Sequence, residues 1–194
     1  MRPPPAISPH RGGSVAALSG AFGVGLVCMA LNITRRKRPE QAAALLGPLE
    51  SLLGLQAELR TLADQDVQVF RAYVDATRLP KDTNEDRQAR RVALDRAGQQ
   101  ARDVPLRVAQ VAVEGLTLAA EVLEQIHPEV QSDVGAGAGL LLGSLHASLL
   151  TLDINLRHLD EEPRRTLEEL RDRYGARGEV LATQVLARTR ELLQ

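Results

Sequence analysis

Two long stretches of small and apolar residues dominate the hydrophobic pattern of this chain. One covers Ser14–Ile33 and the other covers Ser132–His158, and both are rich in glycine and alanine. Apolar residues elsewhere recur every three or four positions, and no β-branched or aromatic run alternates as a strand does. The pattern therefore predicts an all-α protein, a bundle of long helices built around two Gly/Ala-rich ones.

Proline and aspartate positions divide the region that follows the first stretch. A helical pattern covers Glu40–Leu62, with a kink or break predicted at Gly47-Pro48. A further segment is predicted to begin at Asp64 or Asp66. It ends before Leu79-Pro80, because a residue that precedes proline disfavours the helical conformation.

Two amphipathic helices are predicted next. The first covers Asn84–Arg102 and is mostly solvated; the second has Asp103 as its N-cap, Pro105 in its first turn and His127-Pro128 at its end. A buried stripe at helical spacing marks the second one. Its members are Val108, Ala112, Leu116, Ala119, Leu123 and Ile126. A last, Arg- and Glu-rich helix begins at Pro163.

Glycine inside a helix destabilises it by about 1 kcal/mol relative to alanine, so its repeated use indicates a compensating interaction. The second Gly/Ala helix carries small residues every four positions, at Gly135, Gly139, Gly143 and Ala147. Such a line predicts tight helix–helix contact, within a subunit or between two, or room for a flat ligand. Residues 1–13 are predicted to be a loop with Ser14 as the first N-cap, and residues 1–194 a single domain.

Composition narrows the functional classes. Hydrophobic residues make up 44% and aromatic residues 2%, so the core is expected to be Leu, Val and Ala. A net charge of −1 argues against a nucleic-acid binder. The lone Cys28 excludes an intrachain disulfide and a cysteine zinc site, and it suits a core position and a reducing cytoplasm. No histidine has a partner at metal-ligand spacing, so no metal site is expected.

A membrane anchor or a signal peptide is the rival interpretation of the first stretch. Val15–Ile33 is uncharged, has the length of a membrane span and precedes four basic residues. Its many small residues make it only moderately hydrophobic, however, and the basic cluster follows the run instead of preceding it. Asn32 and Thr34 also suit a soluble helix better. We therefore expect no membrane insertion.

Three segments carry a resemblance to a known family. The first is RGGSVAALSGA at Arg11–Ala21. The second is Asp64-x-Asp66-x-x-x-Phe70-x-x-Tyr73, continuing to Leu79-Pro80-Lys81-Asp82-Thr83. The third is VQSDVG at 130–135, followed by Asp153-Ile154-Asn155-Leu156. In order and spacing they resemble the tetrahydrofolate cyclodeaminases and the related methenyltetrahydrofolate cyclohydrolases.

The resemblance implies an all-α fold, a cytoplasmic homodimer and a cleft that binds a tetrahydrofolate derivative as substrate, without metal or redox cofactor. Cyclodeaminases close the 5-formimino compound and release ammonia, and cyclohydrolases interconvert the methenyl and 10-formyl compounds. The sequence departs from the family at His10 and Arg11, at Ile126–Pro128 and in the short segment before the glycines. A member that binds folate or a partner without turnover is therefore the alternative.

Three residues are candidates for the chemistry. A carboxylate beside the cationic one-carbon bridge would stabilise it and act as a base. Asp133 and Asp66 are the two candidates, and a helix cap is the structural alternative for each. Lys81 is one of two lysines among 24 basic residues, which suggests a proton donor or a carboxylate contact, and a solvated loop lysine is the structural alternative.

Substrate contacts are predicted at two further places. Gly12, Gly13 and the amide of Ser14 would present N–H groups to an anion, although a tight turn alone would also explain the glycines. The basic residues Arg35, Arg36, Lys37 and Arg38 would bind the carboxylates of the folate tail, or only complement a helix end. The resemblance adds Ser132 and Asp82.

Overall fold

The computed structural model describes residues 12–157 and 159–194, which are helical almost throughout. No strand occurs in these ranges. Five long helices are present: α1 Gly12–Lys37, α2 Leu46–Arg78, α3 Asn84–Val122, α4 Gln131–Leu156 and α5 Glu161–Leu192. Short 3-10 turns lie at Pro39–Gln41, Leu123–Gln125 and Pro128–Val130. The predicted all-α class is confirmed.

The helix α1 packs against α2 on one side and α4 on the other, and α3 packs on both of those neighbours. The helix α5 lies on α3 and α4. The core is built from leucine, valine and alanine, and every member of the stripe predicted on the segment after Asp103 is buried. Cys28 is a core residue as predicted, and burial raises the pKa of its thiol to about 11.

The helices α1 and α4 run antiparallel and meet most closely at two glycines. A Cβ atom on Gly137 would lie 2.7 Å from the carbonyl oxygen of Gly23, and one on Gly23 would lie 2.8 Å from the carbonyl oxygen of Gly137. The hydroxyl of Ser144 donates to the carbonyl oxygen of Ala16 at 2.7 Å. Glycine is therefore used here for close backbone approach.

The predicted line of small residues on α4 makes this contact only in part. A Cβ atom on Gly135 would touch Thr189 of α5, but Gly139 and Gly143 are exposed and have no atom within 4 Å of such a position. The residues that contact α1 are therefore not those of the predicted line, because Gly137 lies on a different face of α4 from Gly135 and Gly139.

One predicted helix boundary in this region was wrong. The helical pattern from Glu40 is broken as predicted, since α2 begins at Leu46, next to Gly47-Pro48, but no new helix starts at Asp64 or Asp66, because α2 is one helix of 33 residues. Pro48 is its third residue, where a missing N–H leaves no intrahelical bond unmade. Asp66 therefore lies in the helix interior and is not the N-cap of its own helix.

Pro105 also lies inside a continuous helix, so Asp103 is not an N-cap. Proline lacks an N–H and leaves the carbonyl oxygen four residues earlier, that of Ala101, without its helical partner. The side-chain amide of Asn155 on α4 donates to that oxygen at 2.8 Å. A tertiary hydrogen bond thus replaces the lost helical one.

The starts of the two Gly/Ala helices also differ from the prediction. The helix α1 begins at Gly12, so the last two residues of the predicted loop are helical and Ser14 is in the first turn. The helix α4 begins at Gln131, which places Ser132 and Asp133 in its first turn, and its N-cap residue makes no side-chain cap. Residues 1–11, including Arg11, and the predicted end at position 158 lie outside the described residues.

Candidate functional site

The N-terminus of α1 is capped by a carboxylate from another helix. The backbone N–H of Ser14 donates to Oδ2 of Asp66 at 2.8 Å, although the two residues are 52 positions apart. The first turn of α1 contains no acid of its own. The carboxylate of Asp66 therefore takes the position where the helix dipole and the unpaired N–H groups favour an anion.

Gly13 makes room for that carboxylate. A Cβ atom at Gly13 would lie 2.2 Å from Oδ1 of Asp66, closer than any real contact, whereas one at Gly12 would meet only Oγ1 of Thr151 at 3.9 Å. Neither glycine has a positive φ. Glycine is therefore used at position 13 because it lets Asp66 approach closely, and not because a turn requires its conformational freedom.

Burial raises the pKa of Asp66, and hydrogen bonds from the backbone and side chain of Ser14 oppose that shift. The carboxylate is partly accessible, since the residue is of intermediate exposure. A half-buried carboxylate with a raised pKa is a better proton acceptor than an exposed aspartate.

Asn155 lies at the same end of the bundle as Asp66. Its Nδ2 donates to the carbonyl oxygens of Ala101 and Thr151, and its Oδ1 is buried with no hydrogen-bond partner within the described ranges. The sequence predicts Asn155 as a motif residue that satisfies polar groups in a packed interface, and the bond to Ala101 agrees with this prediction. Its tie to the carbonyl group that Pro105 leaves free is visible only in three dimensions.

Asp133 and the basic cluster lie at the opposite end of α1. Arg35 and Arg36 line a cavity of about 450 Å³ together with Met29, Asn32 and Ala42. The Nε atom of Arg35 donates to the carbonyl oxygen of Ala42 at 3.2 Å. Lys37 forms an ion pair with Glu129, which precedes α4. Arg38 follows directly and leads into the 3-10 turn.

One chain does not bring Asp66 and Asp133 together. Asp66 contacts Gly13, which is ten residues before the point where Gly23 of α1 crosses Gly137 of α4. Asp133 is on the other side of this crossing, four residues from Gly137 along α4. At 1.5 Å per residue the levels of Gly13 and Asp133 are about 20 Å apart. The predicted single cleft containing both aspartates is therefore not formed within the described part of one subunit.

Lys81 and Asp82 occupy a third place, the loop that joins α2 to α3. Both are exposed, and Nη1 of Arg87 donates to both of their carbonyl oxygens at 3.0 Å. The twelve residues of α2 from Asp66 to Arg78 extend about 18 Å away from the end of α1. Lys81 is therefore remote from Asp66 in the same chain.

An uncovered apolar face spans α1 and α4, and we call it the α1/α4 face. On α1 its exposed residues are Val15 at 63%, Leu18 at 43%, Phe22 at 68% and Met29 at 42%. On α4 they are Leu140 at 39% and Leu150 at 64%, with Gly139 and Gly143 exposed as well. A patch of this kind marks an interaction surface.

Both helices of this face have the length and apolar character of a membrane span. In α1 the most apolar window is 56% buried inside the fold, and in Pro128–Leu156 it is 50% buried. The core helix of a soluble protein meets the same criteria, so these two helices are weak evidence for a membrane.

Comparison with known proteins decides the family. The family model of the formiminotransferase-cyclodeaminases matches residues 9–173. The chain belongs to this family. It is 36% identical over 175 residues to a methenyltetrahydrofolate cyclohydrolase of Methylorubrum extorquens, with 87% of this chain and 84% of that protein covered.

Two further relatives complete the comparison. The formimidoyltransferase-cyclodeaminase of Gallus gallus is 30% identical over 159 residues, which cover 80% of this chain and 29% of that protein. The family member described here thus spans less than a third of that relative. The crystal structure of a formiminotetrahydrofolate cyclodeaminase from Thermotoga maritima superposes with a TM-score of 0.80 at 21% identity, over 100% of this chain and 92% of that one. It supports the fold.

The resemblance drawn from the three motifs is therefore confirmed, and so is the assignment to the folate one-carbon enzymes. The alternative of a member without turnover has no support among these relatives. The roles of the individual site residues remain predictions.

Proposed function

We propose that this family member is a methenyltetrahydrofolate cyclohydrolase, which adds water to 5,10-methenyltetrahydrofolate and forms 10-formyltetrahydrofolate. The carboxylate of Asp66 at the N-terminus of α1 is the observation that carries the chemistry. The cyclohydrolase of Methylorubrum extorquens matches over most of both chains, whereas the cyclodeaminase of Gallus gallus is matched over 29% of its length.

The substrate is a cation whose charge lies on the carbon that bridges N5 and N10. Water attacks this carbon through its oxygen and gives one proton to a base. The hydroxyl group of the tetrahedral adduct then loses its proton and becomes the formyl carbonyl group as the bond between the carbon and N5 breaks. N5 takes up a proton, and the formyl group stays on N10. The net reaction consumes one water and releases one proton.

Asp66 suits the first step in two ways. Its negative charge stabilises the cationic carbon, and its raised pKa makes it a better proton acceptor than an exposed aspartate. The N–H groups of Gly12, Gly13 and Ser14 lie beside it at the helix N-terminus. Because Ser14 already donates to Asp66, the substrate would meet a carboxylate whose position is fixed.

Most of the remaining predicted contacts keep secondary roles in this proposal. Asp133 is a second acid for the proton transfers, with Ser132 beside it. The basic residues at the end of α1 bind the carboxylates of the folate tail. Lys81 and Asp82, in the α2–α3 loop, have no role in this proposal, because the loop is remote from Asp66 in the same chain.

A homodimer that buries the α1/α4 face is part of the proposal. The face has no charged side chain from Gly12 to Thr34 on α1, and from Val134 to Leu152 on α4 His146 is the one ionisable residue. A second copy of the chain is an occupant that matches it, because an isologous contact pairs apolar surface with apolar surface. We propose a soluble, cytoplasmic dimer; recovery only in detergent extracts would contradict this.

The cyclodeaminase reaction is the second candidate, since the Gallus gallus relative carries that name. In it N10 attacks the formimino carbon and ammonia leaves. Purified protein should be given each compound separately. Loss of the methenyl absorbance above the buffer rate supports the cyclohydrolase, and ammonia release from the formimino compound supports the cyclodeaminase. Folate binding measured by calorimetry without either reaction would show a member that has lost turnover.

A further inference from the structure

Two clusters predicted to serve one substrate lie at opposite ends of α1. Asp66 with Ser14 is at its N-terminus, and Arg35, Arg36 and the cavity they line are at its C-terminus, on the same end as Asp133. Between them lies the exposed α1/α4 face. A folate that reached both clusters in one chain would have to lie along this apolar face.

The face continues directly into the basic cluster. Val15, Phe22, Met29 and Arg36 are spaced by seven residues, so they form one stripe along α1. The first three are exposed apolar side chains, and Met29 and Arg36 both line the cavity at the end of the stripe. The cavity therefore opens where the apolar surface ends.

Charge decides how two copies of this stripe pair. In a parallel arrangement the basic residues 35–38 of both subunits would meet at one end, where like charges repel. In an antiparallel arrangement each basic cluster approaches the end of α1 that holds Asp66, and the two helix dipoles oppose each other. Charge complementarity thus favours antiparallel pairing.

The centre of the stripe sets the register. It is Phe22, the most exposed residue of the four, and a two-fold axis there places Met29 opposite Val15 of the partner subunit. The same axis carries the level of Asp133 on α4 to the level of Ala17 in the other chain, about one helical turn from Ser14, and Arg36 to a position about one helical turn beyond Gly12.

We infer that the folate site is shared between subunits: Asp66 and the N-terminus of α1 come from one chain, and Arg36 and Asp133 come from its partner. The substrate class is a folate whose one-carbon bridge lies at Asp66 and whose glutamate carboxylates lie in the cavity beside the partner subunit's Arg36. This inference rests on the proposed function, because it concerns the same reaction and the same homodimer.

Subunit complementation tests the inference. Asp66→Asn and Arg36→Ala homodimers are each expected to lose most of the wild-type kcat/KM. Heterodimers of the two variants, purified through two different affinity tags, carry one intact site if the site is shared. They should recover about half of the wild-type activity per dimer, because the Asp66→Asn chain still supplies Arg36.

Each alternative gives a different result. If Asp66 and Arg36 serve the site within one chain, both sites of the heterodimer are defective and activity does not return, which overturns the inference. An Arg36→Ala homodimer with wild-type kcat/KM also overturns it. Arg190→Ala, on the exposed side of α5, is the matched control and should change neither homodimer nor heterodimer activity. Wild-type turnover and dimer mass are measured first, so failure of the proposed function is recognised separately.

Discussion

The side-chain amide of Asn155 donates a hydrogen bond to the carbonyl oxygen of Ala101, 2.8 Å away on another helix. That oxygen has no helical donor because position 105 is proline. The bond ties α4 to α3 at the one place where α3 lacks an internal bond. It also holds the end of α4 beside the end of α1 where Asp66 lies.

Asn155→Ala should lower the free energy of unfolding by about 1–3 kcal/mol, because it leaves a buried carbonyl group unsatisfied. Pro105→Ala restores an N–H to position 105, so the same change at position 155 should cost markedly less in that background. Urea unfolding of the four proteins in this cycle measures the coupling. Equal costs in both backgrounds would contradict the account of Pro105.

Gly13→Ala should displace the carboxylate of Asp66, because the added Cβ would lie 2.2 Å from Oδ1. Loss of the Ser14 hydrogen bond removes a helix cap worth about 1 kcal/mol, and we expect kcat/KM to fall at least about tenfold, or 1.4 kcal/mol. Gly54→Ala is the control, since its Cβ would have no atom within 4 Å. It should leave activity unchanged and stabilise α2 by up to about 1 kcal/mol.

Activity should depend on the ionisation of Asp66. Burial raises the pKa of this carboxyl, so the native protein takes up the proton at a higher pH than the unfolded chain does. Stability linked to this group therefore rises as the pH falls from the native pKa to the unfolded one. The rate of catalysis by the carboxylate instead decreases as the pH falls through the native pKa. A kcat/KM profile whose acidic limb lies within the ordinary aspartate range would contradict this role.

Phe22→Glu should convert the dimer to a monomer, because it places a charge at the centre of the α1/α4 face, where the side chain is 68% exposed in the single chain. Light scattering after gel filtration should change from the mass of two chains to that of one chain of 21.1 kDa. Val180→Glu is the control, since Val180 is an exposed apolar residue on α5. A wild-type protein that is already monomeric would overturn the proposed dimer.

Much of the fold could be predicted from the sequence, because apolar spacing directly reports which helix faces are buried. The stripe from Val108 to Ile126 shows this. Proline was misleading at position 105, since its effect depends on whether a distant side chain replaces the lost hydrogen bond. No local sequence pattern shows that Asn155 donates to the carbonyl oxygen of Ala101.

The site was predicted less completely for a related reason. Asp66 was identified from a motif, but its partner Ser14 is 52 residues away, and the capping role predicted as the alternative for Asp66 was on the wrong helix. The distance of about 20 Å between the levels of Asp66 and Asp133 depends on how α1 and α4 cross, which Gly23 and Gly137 determine. Motif order along the chain does not contain that distance.

The most direct test of the central claim is the initial rate of methenyltetrahydrofolate loss, measured for the wild-type protein and for Asp66→Asn under the same conditions. The asparagine oxygen still accepts the hydrogen bond from Ser14, so the fold is expected to persist, as circular dichroism would show. We predict a wild-type rate well above that of the buffer and a variant rate at least about a hundredfold lower, as removal of a general base produces. Equal rates for the two proteins, or a wild-type rate no greater than that of buffer, would contradict the account.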